Sequence, residues 1–293
     1  MVGENINGPS LIVVPDWVAD RLGRYYLYFA HHRGRYIRLA YADDLRGPWK
    51  VHEGKVLRVG QVPRGKKHVA SPDLHVDADT KKIRMYFHSP CVDLPGQHTF
   101  VAESRNGLSF TSRTDPVGTF YFRAWKKHGF WWALGKALLY RSPDGLTSFE
   151  VGQFVYGPPD QPTNQRVEGS IRHTAVCQFE GNTFVFYTRL GDRPERILCG
   201  ILDDSNPDNW RNWQLRGEVE VLRPDTDYEG AGLPLTPSAP GAAHQSQNAL
   251  RDPCFFEEDG HSYLLYAVAG ERGIALAEID MRRLARKFLS HAK

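Results

Sequence analysis

The sequence predicts an all-β fold, a five-bladed β-propeller with four-stranded antiparallel blades around a central axis. Three observations predict it. A group of short apolar runs separated by turn residues occurs five times, glycine and proline are frequent (27 and 19 of 293 residues), and helical periodicity is confined to the tail. Units of several strands repeated at roughly 40–80 residues are typical of propeller blades. A β-sandwich with irregular hairpins is the alternative that the pattern leaves open.

Each predicted blade is built around a run of aromatic and aliphatic residues, such as GRYYLYFA at 23–30 and HSYLLYAV at 261–268. A second run follows each of these. Four of the five second runs pass through Asp, Asn or Gly and then reach an aromatic residue, which indicates a strand, a turn and the next strand. Another apolar stretch precedes each central run. The predicted blades span residues 7–58, 70–116, 117–156, 170–222 and 250–279.

The five blades are predicted to form one domain over residues 1–293, followed by a short helix at 280–291. In that tail Leu284, Phe288 and Leu289 line one helical face. Only about eight residues precede the first strand, too few for a closing blade shared between both ends of the chain. We therefore expect the basic tail to pack across the last blade.

Charge and hydropathy exclude several classes of partner. The chain has 37 Lys and Arg against 34 Asp and Glu, a formal net charge of +3, without a basic block, so we expect no nucleic-acid partner. It contains no long apolar run, so we expect no membrane span. The first residues lack the pattern of a signal peptide, which predicts a cytoplasmic location. The four widely spaced cysteines predict reduced thiols and no structural zinc.

Blade topology predicts which residues meet at the axis. Starts of first strands, ends of second strands and loops between blades should converge on one axial mouth, where a rigid scaffold usually carries function. First-strand starts contribute Asn7, Asp73, Arg123, Arg172, His173, Arg251 and Asp252. Second-strand ends contribute His31, His32, His88, Arg189 and Glu271. Loops between blades contribute His68, Glu168, Glu229 and His244.

Carboxylates in a concave pocket suit the cleavage of a glycosidic bond. One carboxylic acid protonates the leaving oxygen, while a carboxylate activates water or attacks carbon. Arginines at the same mouth suggest an anionic or sulfated sugar. Structural roles remain open as well, because Asp73 and Asp252 could pair with Arg251 and Arg172, and each histidine could be a hydrogen-bonded core residue.

The five units, the segment SPDLHVD at 71–77 and the whole of 251–279 resemble the five-bladed propeller glycosidases. These are the arabinanases and β-xylosidases of glycoside hydrolase family 43, the invertases and the anhydrogalactosidases of family 117. The resemblance covers roughly residues 7–279 and implies hydrolysis by carboxylates around the propeller axis.

The resemblance carries over to some residues and not to others. Asp73 matches the second-blade aspartate that tunes the acid in arabinanases, and His173 is similar to the histidine proposed as the acid in family 117. Residues 251–253 resemble the RDP triplet of invertases, although they lie in the last blade. Where family 43 has its base aspartate and acid glutamate, residues 5–10 read NINGPS and residues 120–123 read FYFR.

Three hypotheses follow. The first is a divergent glycosidase that needs no cofactor and acts on an oligosaccharide or glycoside. Its catalytic residues would be Asp73, Asp252 and Glu229, or Glu168 in place of Glu229, assisted by His173. Its substrate-binding residues would be Asn7, His31, His88, Arg123, Glu168, Arg172, Arg189, His244 and Arg251. The second is a metal-dependent lyase or hydrolase, in which His31, His88, His173 and a carboxylate hold a divalent cation, Ca²⁺ or Zn²⁺, near the axis. The third is a propeller that only binds carbohydrate.

Overall fold

The structure, a computed structural model, describes residues 4–147, 149–157 and 169–289. These residues form five antiparallel sheets, and the first strands of neighbouring sheets contact one another around a ring. The chain is therefore a five-bladed β-propeller, and the predicted fold class is confirmed. Within the described ranges, no helix is long and apolar enough to cross a membrane.

The blades follow one another along the chain. The first contains β1 (Asn7–Val13), β2 (Tyr25–Ala30), β3 (Tyr36–Ala42), β4 (Lys50–Val51) and β5 (Leu57–Arg58). The second contains β6 (Ala70–Asp77), β7 (Lys82–Pro90), β8 (Gln97–Ser104), β9 (Thr111–Ser112) and β10 (Gly118–Thr119). The third contains β11 (Phe122–Lys127), β12 (Phe130–Gly135), β13 (Leu138–Ser142) and β14 (Glu150–Phe154). The fourth contains β15 (Ile171–Phe179), β16 (Asn182–Arg189), β17 (Ile197–Leu202) and β18 (Leu215–Leu222). The fifth contains β19 (Arg251–Glu258), β20 (His261–Val268) and β21 (Gly273–Ile279), and helix α1 (Met281–Leu289) follows.

Two boundaries differ from those predicted. Gly118 and Thr119 pair with β8 in the second blade, so the third blade begins at Phe122 and not at residue 117. Tyr121, with a φ of 66°, turns the chain between the two blades.

The fifth sheet has three strands among the described residues, where the repeat predicted four.

Apolar side chains fill the space between neighbouring blades, with one cluster at each of the five interfaces. Tyr28 and Phe87 belong to the first interface, and Trp132 and Trp213 belong to the third. Because blades splay apart with distance from the axis, large rings are needed to fill the wedge between them at the density of a protein interior. The aromatic residues of the repeat thus hold the ring together.

The ring closes between the fifth and first blades without a shared sheet. Leu11 and Tyr25 of the first blade pack with Phe256 and Leu265 of the fifth, and the Ile6 backbone N–H donates to the Glu271 carbonyl at 2.8 Å. Helix α1 packs its apolar face against the fourth and fifth blades. This arrangement confirms that the tail covers the end of the propeller.

The start of each first strand is irregular. Register shifts interrupt the pairing of β1, β6, β15 and β19 near their first residues. Gly8, Ser71, Tyr121 and Asp252 have φ between 48° and 66°, the left-handed region. A Cβ atom at Gly8 would lie 2.9 Å from the Cα of Ser71, so only glycine allows these two strands to approach. Bulges of this kind redirect side chains, here at one end of the axis.

Candidate functional site

A cavity of about 970 Å³ opens at the end of the axis where the first strands begin. The first strands contribute Asn7, Ala70 and Ser71 to its wall, and the end of β7 contributes His88. The loop before β6, residues 32–33 and 94–97, Tyr121, residues 240–242 and His244 also line it. The position agrees with the mouth that the blade topology predicts.

The wall of this cavity is basic. Seven side chains are Lys, Arg or His, and among the described residues that line the cavity there is no Asp or Glu. The seven are His32, Arg33, Lys66, Lys67, His68, His88 and His244. The carboxyl groups predicted for catalysis therefore do not line the wall.

Asp252 and His173 form a buried pair behind that wall. The carboxylate Oδ1 of Asp252 lies 3.2 Å from Nε2 of His173, and both side chains are 4 % exposed. The backbone N–H of Asp252 faces Nδ1 of the same ring at 3.4 Å. A backbone N–H can only donate, so Nδ1 is the acceptor and Nε2 carries the proton that points to Asp252. The ring of Tyr121, which lines the cavity, packs edge-on against His173 at 5.0 Å.

Burial shifts both members of this pair toward their neutral forms. It raises the pKa of Asp252 to about 6, helped by the negative charge of Glu271 and opposed by Arg172, Arg123 and Arg251. Burial, together with the positive charges of Arg172 and Arg251, holds the pKa of His173 well below its ordinary value. Asp252 is thus a carboxylic acid that titrates near neutral pH beside a neutral imidazole.

The pKa of Glu271 is shifted in the opposite direction from that of Asp252. Its carboxylate accepts a hydrogen bond from Asn5 Nδ2 at 2.5 Å and lies 3.3 Å from an Arg251 nitrogen. Nδ1 of His32 lies 3.7 Å from its Oε1. Burial alone would raise the pKa of Glu271, but His32, Arg251 and Asn5 outweigh it and lower the pKa to about 2. Two neighbouring carboxyl groups therefore have pKa values pushed apart, as an acid and a carboxylate partner require.

Arg172 and Arg251, predicted to bind substrate, lie in buried ion pairs instead. Both guanidinium groups contact Glu195, at 3.2 and 2.8 Å, and Arg251 also contacts Glu271. Arg172 donates to the carbonyls of Ala239 and Gly241, which fixes part of the loop beside the cavity. A buried charge needs such a partner, so these arginines hold the site together.

The carboxylate of Asp73 contacts His75 and Ala124. Its Oδ2 accepts from the Ala124 backbone N–H at 2.8 Å and lies 2.9 Å from Nε2 of His75. His75 and Ala124 line a second cavity of about 420 Å³, formed by the far halves of the first strands. Burial alone would raise the pKa of Asp73, but His75, Arg123 and the Ala124 N–H lower it.

Glu229 caps a turn. It is the third residue of a 3₁₀ turn, Asp227–Glu229, and its carboxylate accepts from the backbone N–H groups of Asp225 and Thr226. Its other oxygen accepts the Tyr266 hydroxyl hydrogen at 2.7 Å. The sequence already contained this signal, because Thr226 and Glu229 have the spacing of a capping box.

The remaining predicted residues divide into two groups. Asn7, His88 and His244 line the axial cavity. His31 is exposed, and its Nδ1 lies 2.6 Å from the His32 carbonyl; Arg189 pairs with Asp192 and Glu218. Arg123 is buried, donating to the Phe122 carbonyl at 3.1 Å, and its charge acts on both Asp73 and Asp252. Glu168 lies outside the described residues.

The prediction missed Arg33, Lys66, Lys67 and Glu195. The sequence places Lys66 and Lys67 in the loop just before β6, so their position in an inter-blade loop was the available signal. Glu195 gave no signal, since its partners are distant in sequence. Among the described residues, no group of three or more His, Cys, Asp or Glu side chains is arranged to hold a metal ion, and the predicted set of His31, His88 and His173 does not converge.

Comparisons with known proteins extend these observations. No family model matches the sequence. The chain is 36% identical over 304 residues to the uncharacterized protein R118 of Acanthamoeba polyphaga mimivirus, which covers 94% of this chain and 83% of that protein.

Solved structures share the fold at low identity. CoXyl43, a GH43 β-xylosidase/α-arabinofuranosidase from a compost microbial metagenome in complex with xylotriose, matches with a TM-score of 0.65 and 14% identity, over 96% of this chain and 92% of that one. A thermostable family-43 glycoside hydrolase matches with a TM-score of 0.66 and 13% identity, over 94% and 90%. The GH43_1 enzyme of Xanthomonas citri matches with a TM-score of 0.64 and 14% identity, over 96% and 89%. The resemblance to the propeller fold of family 43 is thereby confirmed.

Proposed function

Since the chain belongs to the same family as the mimivirus protein R118 and has the propeller fold of the family 43 glycoside hydrolases, we propose that it is a glycoside hydrolase acting at the axial cavity. The observation that carries the proposal is the difference in pKa between two buried carboxyl groups, those of Asp252 and Glu271. Their pKa values, about 6 and about 2, suit a proton donor and an ionised partner.

In this mechanism Asp252 donates a proton to the leaving oxygen, and His173 positions its carboxyl group. Glu271 acts through His32, which lines the cavity. We place the proton of His32 on Nδ1, toward the Glu271 carboxylate 3.7 Å away, which leaves Nε2 as an acceptor for a water molecule. The oriented imidazole then activates that water for attack on the sugar.

One observation favours a second function, carbohydrate binding without catalysis. The side chains of Asp252 and Glu271 are 4 % and 2 % exposed, and neither lines the cavity. A group that protonates a glycosidic oxygen must come within hydrogen-bond distance of it. In the hydrolase the side chains in front of Asp252, Tyr121 above all, must therefore shift when substrate binds.

Turnover of aryl glycosides and of plant and marine oligosaccharides separates the two functions. The wild-type protein is expected to hydrolyse at least one of them, and Asp252→Asn should lower kcat by about 100-fold or more while sugar binding persists. Asp259→Asn is the matched control, because Asp259 is exposed and has the same left-handed backbone, with a φ of 51°. Binding without turnover in the wild-type protein would establish the second function.

A further inference from the structure

Among the described residues, no carboxylate pairs with three of the cationic side chains in the axial cavity. Arg33, Lys66 and Lys67 line the cavity, and none of them forms a salt bridge with a described residue. The ammonium group of Lys66 donates one hydrogen bond to a described residue, to the Val92 carbonyl at 3.5 Å. The deeper guanidinium groups of Arg172 and Arg251 differ, because each contacts Glu195. The chain as a whole is nearly balanced in charge, so this concentration is local.

The floor of the cavity carries an unsatisfied polar group. His88 is 4 % exposed and lines the cavity, and its Nδ1 has no hydrogen-bond partner among the described residues. Buried polar atoms are almost always hydrogen-bonded. Because this nitrogen is itself enclosed, it would bond a ligand only after the side chains at the floor shift. His68, with Nε2 at 2.8 Å from Gln97 Oε1, lies next to it, at a ring separation of 6.2 Å.

The backbone turns two of the basic residues into a conformation that side chains rarely adopt. Arg33 and Lys67 have φ of 63° and 66°. Glycine takes such positions without strain, whereas the chain has charged residues at both. Both side chains line the cavity, Arg33 from the first blade and Lys67 from the loop before β6.

We propose, on the basis of the proposed function, that the cavity takes a glycan bearing a negatively charged group, a uronate carboxylate or a sulfate ester. Arg33, Lys66 and Lys67 bind the charged group through charge-assisted hydrogen bonds, and His88 bonds a sugar hydroxyl at the floor. A neutral sugar would bind such a cationic wall weakly. Its hydroxyl groups need both donors and acceptors, whereas Lys and Arg side chains only donate. The same charge raises the rate of encounter with an anionic chain.

The proposal is tested by calorimetric titration of full-length Asp252→Asn protein with matched oligosaccharides: oligogalacturonate, a sulfated galactan oligomer, the desulfated galactan oligomer and a xylo-oligosaccharide. At least one anionic oligomer is expected to bind about tenfold more tightly than the neutral ones, with the advantage lost at high salt. A preference for galacturonate or for the sulfated oligomer then identifies the charged group.

Variants of the basic wall provide the second readout. Lys66→Gln/Lys67→Gln should weaken binding of the anionic oligomer about tenfold and leave the binding of neutral oligomers unchanged. Lys50→Gln/Lys287→Gln removes the same net charge at exposed positions outside the cavity and should have no effect. Both lysines of the first variant are exposed, so the fold should be retained.

Failure of this inference and failure of the proposed function give different results. If neutral and anionic oligomers bind equally and the double variant changes nothing, the anionic substrate is wrong, while turnover of neutral sugars by the wild-type protein would still support hydrolysis. If an anionic oligomer binds as expected and the wild-type protein cleaves none, hydrolysis is wrong and anionic recognition stands. If no oligosaccharide binds, both are overturned.

Discussion

The carboxylate of Asp252 lies 3.2 Å from Nε2 of His173, and the backbone N–H of Asp252 faces Nδ1 of the same ring. One residue thus fixes both nitrogens of the imidazole, through its backbone and its side chain. The left-handed φ of Asp252 and the bulge at the start of β19 make this double contact possible. A regular strand would direct the carboxyl group elsewhere.

The pH dependence of hydrolysis should report Asp252. A proton donor acts only when protonated, and the pKa of Asp252 is raised to about 6, so kcat/KM should fall as pH rises through about 6. Glu271→Gln removes a negative charge that helps to raise this pKa, and the descending limb of the residual activity should move to lower pH. Glu278→Gln, an exposed change on β21, should leave the limb in place. An unmoved limb in Glu271→Gln would contradict the coupling.

The free energy of unfolding should also depend on the protonation of Asp252, and it should fall as pH rises. The pKa of Asp252 is about 6 in the folded chain against an ordinary 3.8, so the folded state binds more protons between these values and loses stability as pH rises through them. Asparagine is neutral throughout. Asp252→Asn is therefore expected to exceed the wild-type free energy of unfolding by up to about 3 kcal/mol above pH 6, and to match it more closely at acid pH. Urea denaturation across this range measures the difference, and a constant difference would refute the shift.

Removing the carboxylate shared by two buried arginines should destabilise the fold strongly. Glu195 contacts both Arg172 and Arg251 and is 1 % exposed. Glu195→Gln leaves two buried guanidinium groups short of a counter-charge, and the free energy of unfolding should fall by about 3–5 kcal/mol. Glu220→Gln removes a partly exposed ion-pair partner in the same blade and should cost about 1 kcal/mol or less. Equal effects in chemical denaturation would argue against the buried network.

Glu229 should matter for stability and not for catalysis. Its carboxylate accepts from the Thr226 backbone and from Tyr266 and does not line the axial cavity. Glu229→Ala removes the cap and should lower the free energy of unfolding by about 1–2 kcal/mol. The kcat per folded molecule should remain that of the wild-type protein. A fall in kcat comparable with that of Asp252→Asn would contradict this prediction and support a catalytic role for Glu229.

The sequence predicted the propeller because blade structure is largely local. Alternating apolar runs and turn residues specify hairpins within about 40 residues, and five such units bury their faces only by stacking around an axis. The same logic placed Asn7, His88 and His244 at the cavity, because starts of first strands, ends of second strands and loops between blades meet at that end of the axis. The predicted boundary between the second and third blades was wrong, because Gly118 and Thr119 pair with a strand of the second blade and not of the third.

Pairing between distant residues was beyond the reach of the sequence. Glu195 and Arg251 are separated by 56 residues and Asp252 and His173 by 79, and only the closed ring brings them together. The order of the chain therefore determined which residues stand at the axial end of the propeller. The tertiary structure decided which of their charges are neutralised in the interior and which remain open to the cavity, because burial and the proximity of a counter-charge are set by the whole ring.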